Sequence, residues 1–510
     1  MVMSTAAAVA TSVSIVGAGA MGQGIAQVFA LAGFDILLCD SQPGVAAAAR
    51  DKVAAQLARL VQKGKLDAGA AQAAVGRIAV ADSLAAISEV GLVIEAIVEN
   101  LQAKQSLLEK IEDLVGDDCI IASNTSSLSI TTLASRCRRP QRVAGLHFFN
   151  PVPLMRLVEV IDGLRTEAAV VDKLAEIGAK IGKEVVRVKD TPGFLVNQIG
   201  RGYTLEAMHL VSEGVCSCAD VDRVMRDVAG FRMGPFELLD LVGLDVNHPA
   251  SEAIYTQFYH EPRYRPSVLM ESRVNAGLLG RKTNAGFYAY KDGLPVNEPE
   301  GAPPGPTAAM PPVWVSRDEP GEADVVVSLL GGLGAAMEVT DKPSAGALCI
   351  VTPLGEDASR CAARQGLDPV RTVAVDTLFG LGKRRTLMST CVTGSQWRDA
   401  AHALFARDGV PVTVIRDSPG FISQRIIVMI VNVATALAQS RTARPADIDK
   451  AVKLALSYPQ GPLAFGDSLG IGRIGKVLNN LYNSYGDPRY RVNLWLARRV
   501  ALGISLHEGE

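Results

Sequence analysis

Short, almost continuously apolar runs alternate with stretches of helical period over the first part of the chain. The runs are Val13–Val16, Asp35–Cys39, Leu92–Ala96, Ile120–Ser123 and Val143–Leu146. Strands buried on both faces read this way, and the alternation with helices predicts an α/β domain on a parallel, doubly wound sheet. From Asp190 the period turns helical and stays so to about Tyr290. "GLPVNEPEGAPPGPTAAMPP" (293–312) then breaks it with prolines and glycines, the composition of a linker. A shorter α/β pattern occupies Val313–Leu381, and a helical one resumes near Arg416. The expected layout is an α/β domain (1–189), a helical domain (190–290), a linker (291–312), a truncated α/β domain (313–415) and a second helical domain (416–510).

The two helical domains read as copies. "DTPGFLVNQI" at 190 matches "DSPGFISQRI" at 417. The same displacement carries Asp220 onto Asp447, Asp222 onto Asp449, Gly234-Pro235 onto Gly461-Pro462, Asp240 onto Asp467 and Gly243 onto Gly470. A gapless register of that length marks an internal repeat. Thr191 and Ser418 are placed to N-cap a helix in each copy, with Pro192 and Pro419 at its first position.

One strand-like run carries an anomaly. In "LHFFNPVPLMRLVEVI" (146–161) the alternation puts Leu157, Glu159 and Ile161 on one face. If the chain folds back near Pro153, Glu159 lies opposite His147 on an antiparallel neighbour. A buried carboxylate needs such a partner; an edge strand whose glutamate faces water is the plainer reading.

Composition narrows the function classes. At 510 residues the chain is long enough for roughly three or four domains. It is 48% hydrophobic and 20% charged with a net charge of −2, so neither nucleic acid nor an anionic membrane is favoured as a partner. No run reads as a membrane span, and "MVMSTAAAVATS" lacks the basic start of a signal peptide. Eight cysteines without metal-ligand spacing fit reduced thiols in a cytoplasmic protein, and no metal is expected.

"VSIVGAGAMGQGIAQVFALAGFDILLCD" supplies the first chemistry. Gly17, Gly19 and Gly22 form G-x-G-x-x-G directly after a strand and at the start of a helix. The first allows the tight turn, the second the approach of a pyrophosphate, and the third close helix–strand packing. Asp40 ends the next strand, where an acid binds ribose hydroxyls and repels a 2′-phosphate. The first domain is expected to be a Rossmann domain that takes NAD rather than NADP. Beyond the carboxyl ends of its later strands lie "EAIVEN" (95–100), "SNTSSLS" (123–129) and His147, on the cofactor side. Ser126 there reads either as a helix cap or as a site residue.

Taken with "GLHFFNPVPLMRLVEVI", "DTPGFLVNQ" and "GPFELLDLVGLD", these motifs resemble the L-3-hydroxyacyl-CoA dehydrogenases from residue 12 to about 290. The resemblance implies a catalytic set of Ser126, His147, Glu159 and Asn197. It implies nucleotide contacts at Asp40, Glu99, Lys104, Asn150 and Lys282, and a coenzyme A contact at Lys63, although a nearby family serine is Gln56 here. His147 would take the proton of the 3-hydroxyl as hydride leaves carbon 3, with Glu159 orienting and charge-stabilising the ring. Ser126 and Asn197 would position the hydroxyl and the thioester carbonyl.

In the second copy Asn197 becomes Gln424. Aligning Arg142 with Arg371 places His147 on Asp376 and Glu159 on Met388, and "VWVSRDEPGEADVVV" lacks a glycine triad where the loop is expected. The copy reads as a catalytically dead remnant that serves architecture. The family's helical domain dimerises, so a homodimer is implied, or the two copies could pair within one chain. The duplicated form resembles the long bacterial enzymes of phenylacetate breakdown, which act on 3-hydroxyadipyl-CoA; a short-chain substrate such as 3-hydroxybutyryl-CoA, as in β-oxidation, also fits. Arg201 follows Asn197 by one helical turn, and with Gly200 and Gly202 leaving room beside it, it is a candidate receiver for a tail carboxylate. Its plain reading is a solvent-facing arginine. The resemblance also admits a gulonate-type hydroxy-acid dehydrogenase, or a non-catalytic NAD-binding protein of the lens-crystallin kind.

Overall fold

The structure, a computed structural model, describes residues 12–296, 300–301 and 310–509. The start of the chain, read above for a leader, and most of the proline-rich linker lie outside those residues.

The first α/β segment runs β1 (Ser12–Val16), α1 (Ala20–Leu31), β2 (Asp35–Cys39), α2 (Val45–Gln62), α3 (Ala68–Gly76), β3 (Ile78–Val80) and β4 (Leu92–Glu95). It continues with α4 (Leu101–Leu114), β5 (Ile120–Ser123), α5 (Ile130–Ala134), β6 (Val143–Phe148), β7 (Leu157–Asp162), α6 (Ala168–Lys180) and β8 (Glu184–Lys189). The sheet order is β3-β2-β1-β4-β5-β6-β7-β8, the reversal about β1 and β4 being that of a doubly wound sheet. All neighbours are parallel except β6 and β7. Val13, Ile15, Leu92 and Ile94 are fully buried, which accounts for the unbroken apolar runs. All five expected strands form. β7 lies between β6 and β8, so the edge-strand reading of Glu159 falls.

After β8 come α7 (Val196–Ser212), α8 (Cys218–Asp227), α9 (Pro235–Val242), α10 (Leu244–Gln257), α11 (Val268–Asn275) and a hairpin of β9 (Tyr290–Lys291) and β10 (Leu294–Pro295). Thr191 is not the N-cap of α7. Gly193 and Phe194 adopt left-handed conformations (φ +73° and +51°), so Pro192-Gly193 makes a turn and the helix starts only at Val196. The repeat does the same at Gly420 (φ +67°), which delays its helix to Ile422 and removes Ser418 from the cap. The repeated aspartates are structural: Asp222 accepts hydrogen bonds from Phe236 N and Glu237 N at the start of α9.

The second half runs β11 (Val313–Val315), α12 (Pro320–Gly332), β12 (Met337–Glu338), β13 (Leu348–Val351), α13 (Ala358–Gln365), β14 (Thr372–Val375), β15 (Arg385–Ser389), α14 (Ser395–Phe405) and β16 (Val412–Ile415). It ends with α15 (Ile422–Gln439), α16 (Pro445–Leu456), α17 (Pro462–Leu469), α18 (Ile471–Tyr485) and α19 (Leu494–Leu502). Its sheet, β12-β11-β13-β14-β15-β16, repeats the parallel, parallel, antiparallel, parallel pairing that joins β4 through β8. This corrects the alignment of "VWVSRDEPGEADVVV". That segment is the counterpart of β4 and α4, not of β1 and the glycine loop. The half of the domain that would hold a mononucleotide is missing, with only the short β12 on that side.

A second correction follows from register. Ala374 pairs with Met388 and Val375 with Leu387, and Asp376 N donates to Thr386 O. The residue opposite Asp376 is therefore Thr386, not Met388, because Asp376 pairs with a residue ten positions on, whereas His147 pairs with one twelve positions on.

The chain forms two compact units. One ends at Asn197 and takes in Arg441–Leu456; the other comprises Gln198–Ser440 and Ser457–Glu510. In the first unit α16 packs on β7 and β8, with Lys189 N donating to Thr442 O (2.9 Å). Inside the second, Arg416 N donates to Val215 O (3.0 Å). These are the same hydrogen bond with the repeats exchanged, the reciprocity of a self-complementary interface.

Also inside the second unit, α7 crosses α15 closely. A Cβ on Gly202 would lie 3.2 Å from Ile430 Cα, so this glycine makes room for a helix and not for the Arg201 guanidinium. Arg425, fully buried on α15, donates to Glu206 Oε1 and Glu213 Oε2 (2.7 Å each) and to the hydroxyls of Tyr485 and Tyr490. Burial alone would raise the Glu206 carboxyl; Arg425 and Arg489 outweigh it and hold it down at about 2. α15 is long and apolar enough to cross a membrane, but 89% of it is buried, as befits a core helix.

Candidate active site

The glycine loop divides its labour as its spacing implies. Gly17 sits at φ +104°, and a Cβ there would lie 2.5 Å from Ala96 O. On Gly22 it would lie 1.8 Å from Gly17 O. Gly19, the N-cap of α1, has nothing within 4 Å of such a Cβ. Two glycines thus serve the fold, and the third keeps open the space before the helix N-terminus where a diphosphate fits. Asp40 Oδ2 accepts from Ala18 N (2.8 Å) and Oδ1 from Gln42 N (2.9 Å), which fixes the carboxylate beside the loop. Each oxygen keeps a lone pair for a ribose hydroxyl. NAD should therefore exceed NADP in kcat/KM by about a hundredfold or more, and Asp40→Ser should narrow that ratio. Steady-state rates with both cofactors check this; equal values would refute it.

At the carboxyl ends of β5 and β6 the chemistry converges. His147 and Glu159 are register partners across β6 and β7, 3% and 0% exposed. His147 Nδ1 lies 2.7 Å from Glu159 Oε2, and Nε2 lies 3.0 Å from Ser126 Oγ. Glu159 Oε1 accepts from Leu195 N (3.3 Å) and Val196 N (3.1 Å) at the start of α7. With Nδ1 donating to the carboxylate, the Nε2 lone pair faces Ser126 and is free to act as a base. Asn197 Nδ2 donates to Ser126 O (3.1 Å), so all four residues of the expected set meet. Ser126 is no helix cap: Ser129 caps α5 by accepting from Thr132 N.

Ser126 is held from behind. Glu99 Oε1 accepts from Thr125 Oγ1, Ser126 N, Ser127 N and Ser127 Oγ at 2.7 to 3.0 Å. Burial would raise the Glu99 carboxyl, but Lys104 and these donors keep it below the ordinary value. Lys104 is 1% exposed, and its Nζ faces Glu95 Oε1 (2.7 Å), Glu99 Oε2 (3.3 Å) and Ile97 O (3.3 Å). Three acceptors match an ammonium's three donors. Lys104, expected at a nucleotide contact, thus ties Glu95 to Glu99 beneath the Ser126 turn. Glu95, whose Oε2 accepts from Ser123 Oγ (2.6 Å), is a site residue that the sequence reading misses. Its signal is present all the same: an acid closing the apolar run LVIE, the same anomaly that exposes Glu159.

The remaining expected residues stand apart. Asn150 is exposed after β6, and Lys63 is exposed as the C-cap of α2. Lys282 belongs to the second unit, ion-paired with Asp245, and Arg201 is buried there. In the second copy, buried Asp376 accepts from Ser423 Oγ, Gln424 Nε2 and Leu378 N, while Gln424 Oε1 accepts from Gly355 N. Burial raises the Asp376 carboxyl. This closed polar network stands where the first copy has His147.

Comparison with known proteins agrees with this geometry. The family model described as "3-hydroxyacyl-CoA dehydrogenase, NAD binding domain" matches residues 12–191. That described as "3-hydroxyacyl-CoA dehydrogenase, C-terminal domain" matches 193–290 and again 420–506. The chain is 35% identical to a 3-hydroxyadipyl-CoA dehydrogenase of Escherichia coli K12, over 96% of this chain and 98% of the relative. It is 40% identical to a 3-hydroxybutyryl-CoA dehydrogenase of Bradyrhizobium diazoefficiens, over 57% of this chain and 99% of that one. Among solved structures, a 3-hydroxybutyryl-CoA dehydrogenase of E. coli K12 superposes with a TM-score of 0.84 at 34% identity, covering 96% of this chain and 98% of its own.

Proposed function

The chain belongs to the 3-hydroxyacyl-CoA dehydrogenase family, and on that premise we propose that His147 is the base of its reaction and Glu159 the group that sets its tautomer. The activity is NAD-dependent oxidation of a 3-hydroxyacyl-CoA to the 3-oxoacyl-CoA. NAD, when bound, supplies the hydride acceptor. The chain's own residues manage the proton. His147 Nε2 takes it from the 3-hydroxyl, and the charge that then appears on the ring is balanced by Glu159, 2.7 Å from Nδ1. Ser126 Oγ, 3.0 Å from Nε2, marks where the hydroxyl docks, and Asn197 holds the backbone of that turn. Glu99 and Lys104 keep Ser126 in place. Lys63 is proposed to meet the coenzyme A phosphates at the surface, Asn150 and Lys282 the nucleotide.

The carrying observation is the His147–Glu159–Ser126 chain of hydrogen bonds within a buried sheet register. The test is NADH formation, followed by absorbance, with 3-hydroxybutyryl-CoA and 3-hydroxyadipyl-CoA. Turnover of free hydroxy acids in preference to thioesters would favour a gulonate-type dehydrogenase. NAD binding without turnover of any of these would favour a non-catalytic protein.

A further inference from the structure

Two acids and one lysine meet beneath the Ser126 turn, and their charges do not cancel. Glu95, fully buried at the end of β4, accepts from Lys104 Nζ and Ile97 N (2.7 Å each) through Oε1 and from Ser123 Oγ (2.6 Å) through Oε2. Both oxygens face donors, an arrangement that suits the ionised carboxylate and not the protonated one. Glu99 is ionised too, its carboxyl held below the ordinary value by Lys104 and its hydrogen-bond donors. Lys104 Nζ lies 2.7 Å from Glu95 but 3.3 Å from Glu99, so the buried acid takes up most of its charge. One net negative charge remains. It sits on the outer member, Glu99, whose side chain is 38% exposed.

That charge stands close to where hydride leaves the substrate. Glu99 Oε1 accepts from Ser126 N (2.9 Å), and Ser126 Oγ lies 3.0 Å from His147 Nε2. A substrate carbon docked beside these atoms, and a nicotinamide in hydride reach of it, lie within roughly 10 Å of Glu99, about three contact distances. The ring is positively charged in the oxidised cofactor and neutral in the reduced one.

The second copy shows that the fold does not demand the cluster. β11 pairs with β13 as β4 pairs with β5, which sets "VWVS" (313–316) against "LVIE" (92–95) and replaces Glu95 by Ser316. The helix that follows, α12, contains neither lysine nor arginine. The copy without a glycine loop thus lacks both the buried acid and the buried lysine.

We propose that Glu95, by taking up the charge of Lys104, leaves Glu99 as a net anion that favours the oxidised over the reduced nicotinamide, and so biases the bound cofactor toward accepting hydride. Without Glu95, Lys104 pairs with Glu99 alone and the bias is lost. Glu95 acts through Lys104 and Glu99, which makes it a positioning residue. The inference rests on the placing of hydride transfer at Ser126 and His147 above.

The experiment measures Kd for NAD and for NADH by calorimetric titration of the whole protein. Their ratio cancels the ribose and diphosphate contacts that both forms share. Glu95→Gln makes the cluster neutral and should raise Kd(NAD)/Kd(NADH) by about threefold to fifteenfold, the effect of one unit charge at roughly 10 Å and an effective dielectric constant of about 20 to 40. Adding Lys104→Met leaves Glu99 as a lone negative charge again, so the ratio should return toward the wild-type value although the geometry is disturbed. Should Glu95→Gln fail to fold, Glu99→Gln, at an exposed position, neutralises the cluster equally and should raise the ratio at least as far. Affinities for both forms that fall together with an unchanged ratio, or a ratio that Lys104→Met does not restore, would overturn the assignment. Failure of the wild type to bind either nucleotide would instead overturn the cofactor reading itself.

Discussion

Glu159→Gln should lower kcat by about a thousandfold at neutral pH, close to the loss expected for His147→Ala, which is about a hundred- to ten-thousandfold. The severity comes from what Glu159 already does with its other oxygen. Oε1 accepts from two buried backbone amides, Leu195 N and Val196 N, and cannot be given up cheaply. A glutamine that keeps its carbonyl there must turn its amide N–H toward His147 Nδ1. Nδ1 then becomes the acceptor, Nε2 carries the proton, and the ring presents a donor to the substrate hydroxyl where a base is needed. Turning the amide the other way sets donors against the two backbone N–H groups. Either way the imidazolium loses its balancing charge. Steady-state kcat, with NADH affinity from fluorescence titration, checks both variants. Cofactor affinity near wild type with the expected fall in turnover supports the assignment, and full activity in either would refute it.

That pair is legible in the sequence because an acid among Leu157, Val158, Val160 and Ile161 has few stable reasons to exist. The glycine loop and the repeat are legible for similar reasons, since each depends on fixed spacing. Features that depend on connection length are not. Which half of the second sheet is missing, and the register that makes Thr386 the neighbour of Asp376, follow from pairing, which spacing along the chain leaves open. Thr191 and Ser418 look like N-caps until the left-handed glycines after them delay the helix. Arg201 is ambiguous in sequence because a surface and a buried arginine share one helical period; burial and lack of an acid become visible only when α10 is placed beside it.

Arg425→Met should destabilise the protein by about 3–5 kcal/mol, the cost of leaving a buried charge without its partner. Glu206 is 2% exposed, and the loss of Arg425 strips it of its main compensation, while Glu213 and two tyrosine hydroxyls lose the same donor. Adding Glu206→Gln to Arg425→Met should recover part of the loss, and thermal unfolding of the three variants measures both effects. The linkage has a definite sign. Glu206 is held at about 2 when folded, below its unfolded value, so its contribution is complete above the unfolded value and disappears as pH falls through about 2. Removing Arg425 should therefore flatten the loss of stability between about pH 4 and pH 2. A chain cut near Tyr290 removes α15 altogether and uncovers the face of α7 that carries Gly202 and Glu206. It should aggregate or self-associate in size-exclusion chromatography, and a soluble, fully active monomer would contradict the role given to the second copy.

The reciprocal hydrogen bonds, Lys189 to Thr442 and Arg416 to Val215, have a further consequence because a single peptide chain connects their halves. Where such halves are separate molecules, their association weakens as protein becomes scarce. Here each half sees its mate at an effective concentration set by the tether, in the millimolar range or above for short connections, whatever the amount of enzyme in solution. Specific activity should therefore hold constant on dilution into the picomolar range. It should stay equally indifferent to heterologous subunits, since no free half is ever available to exchange.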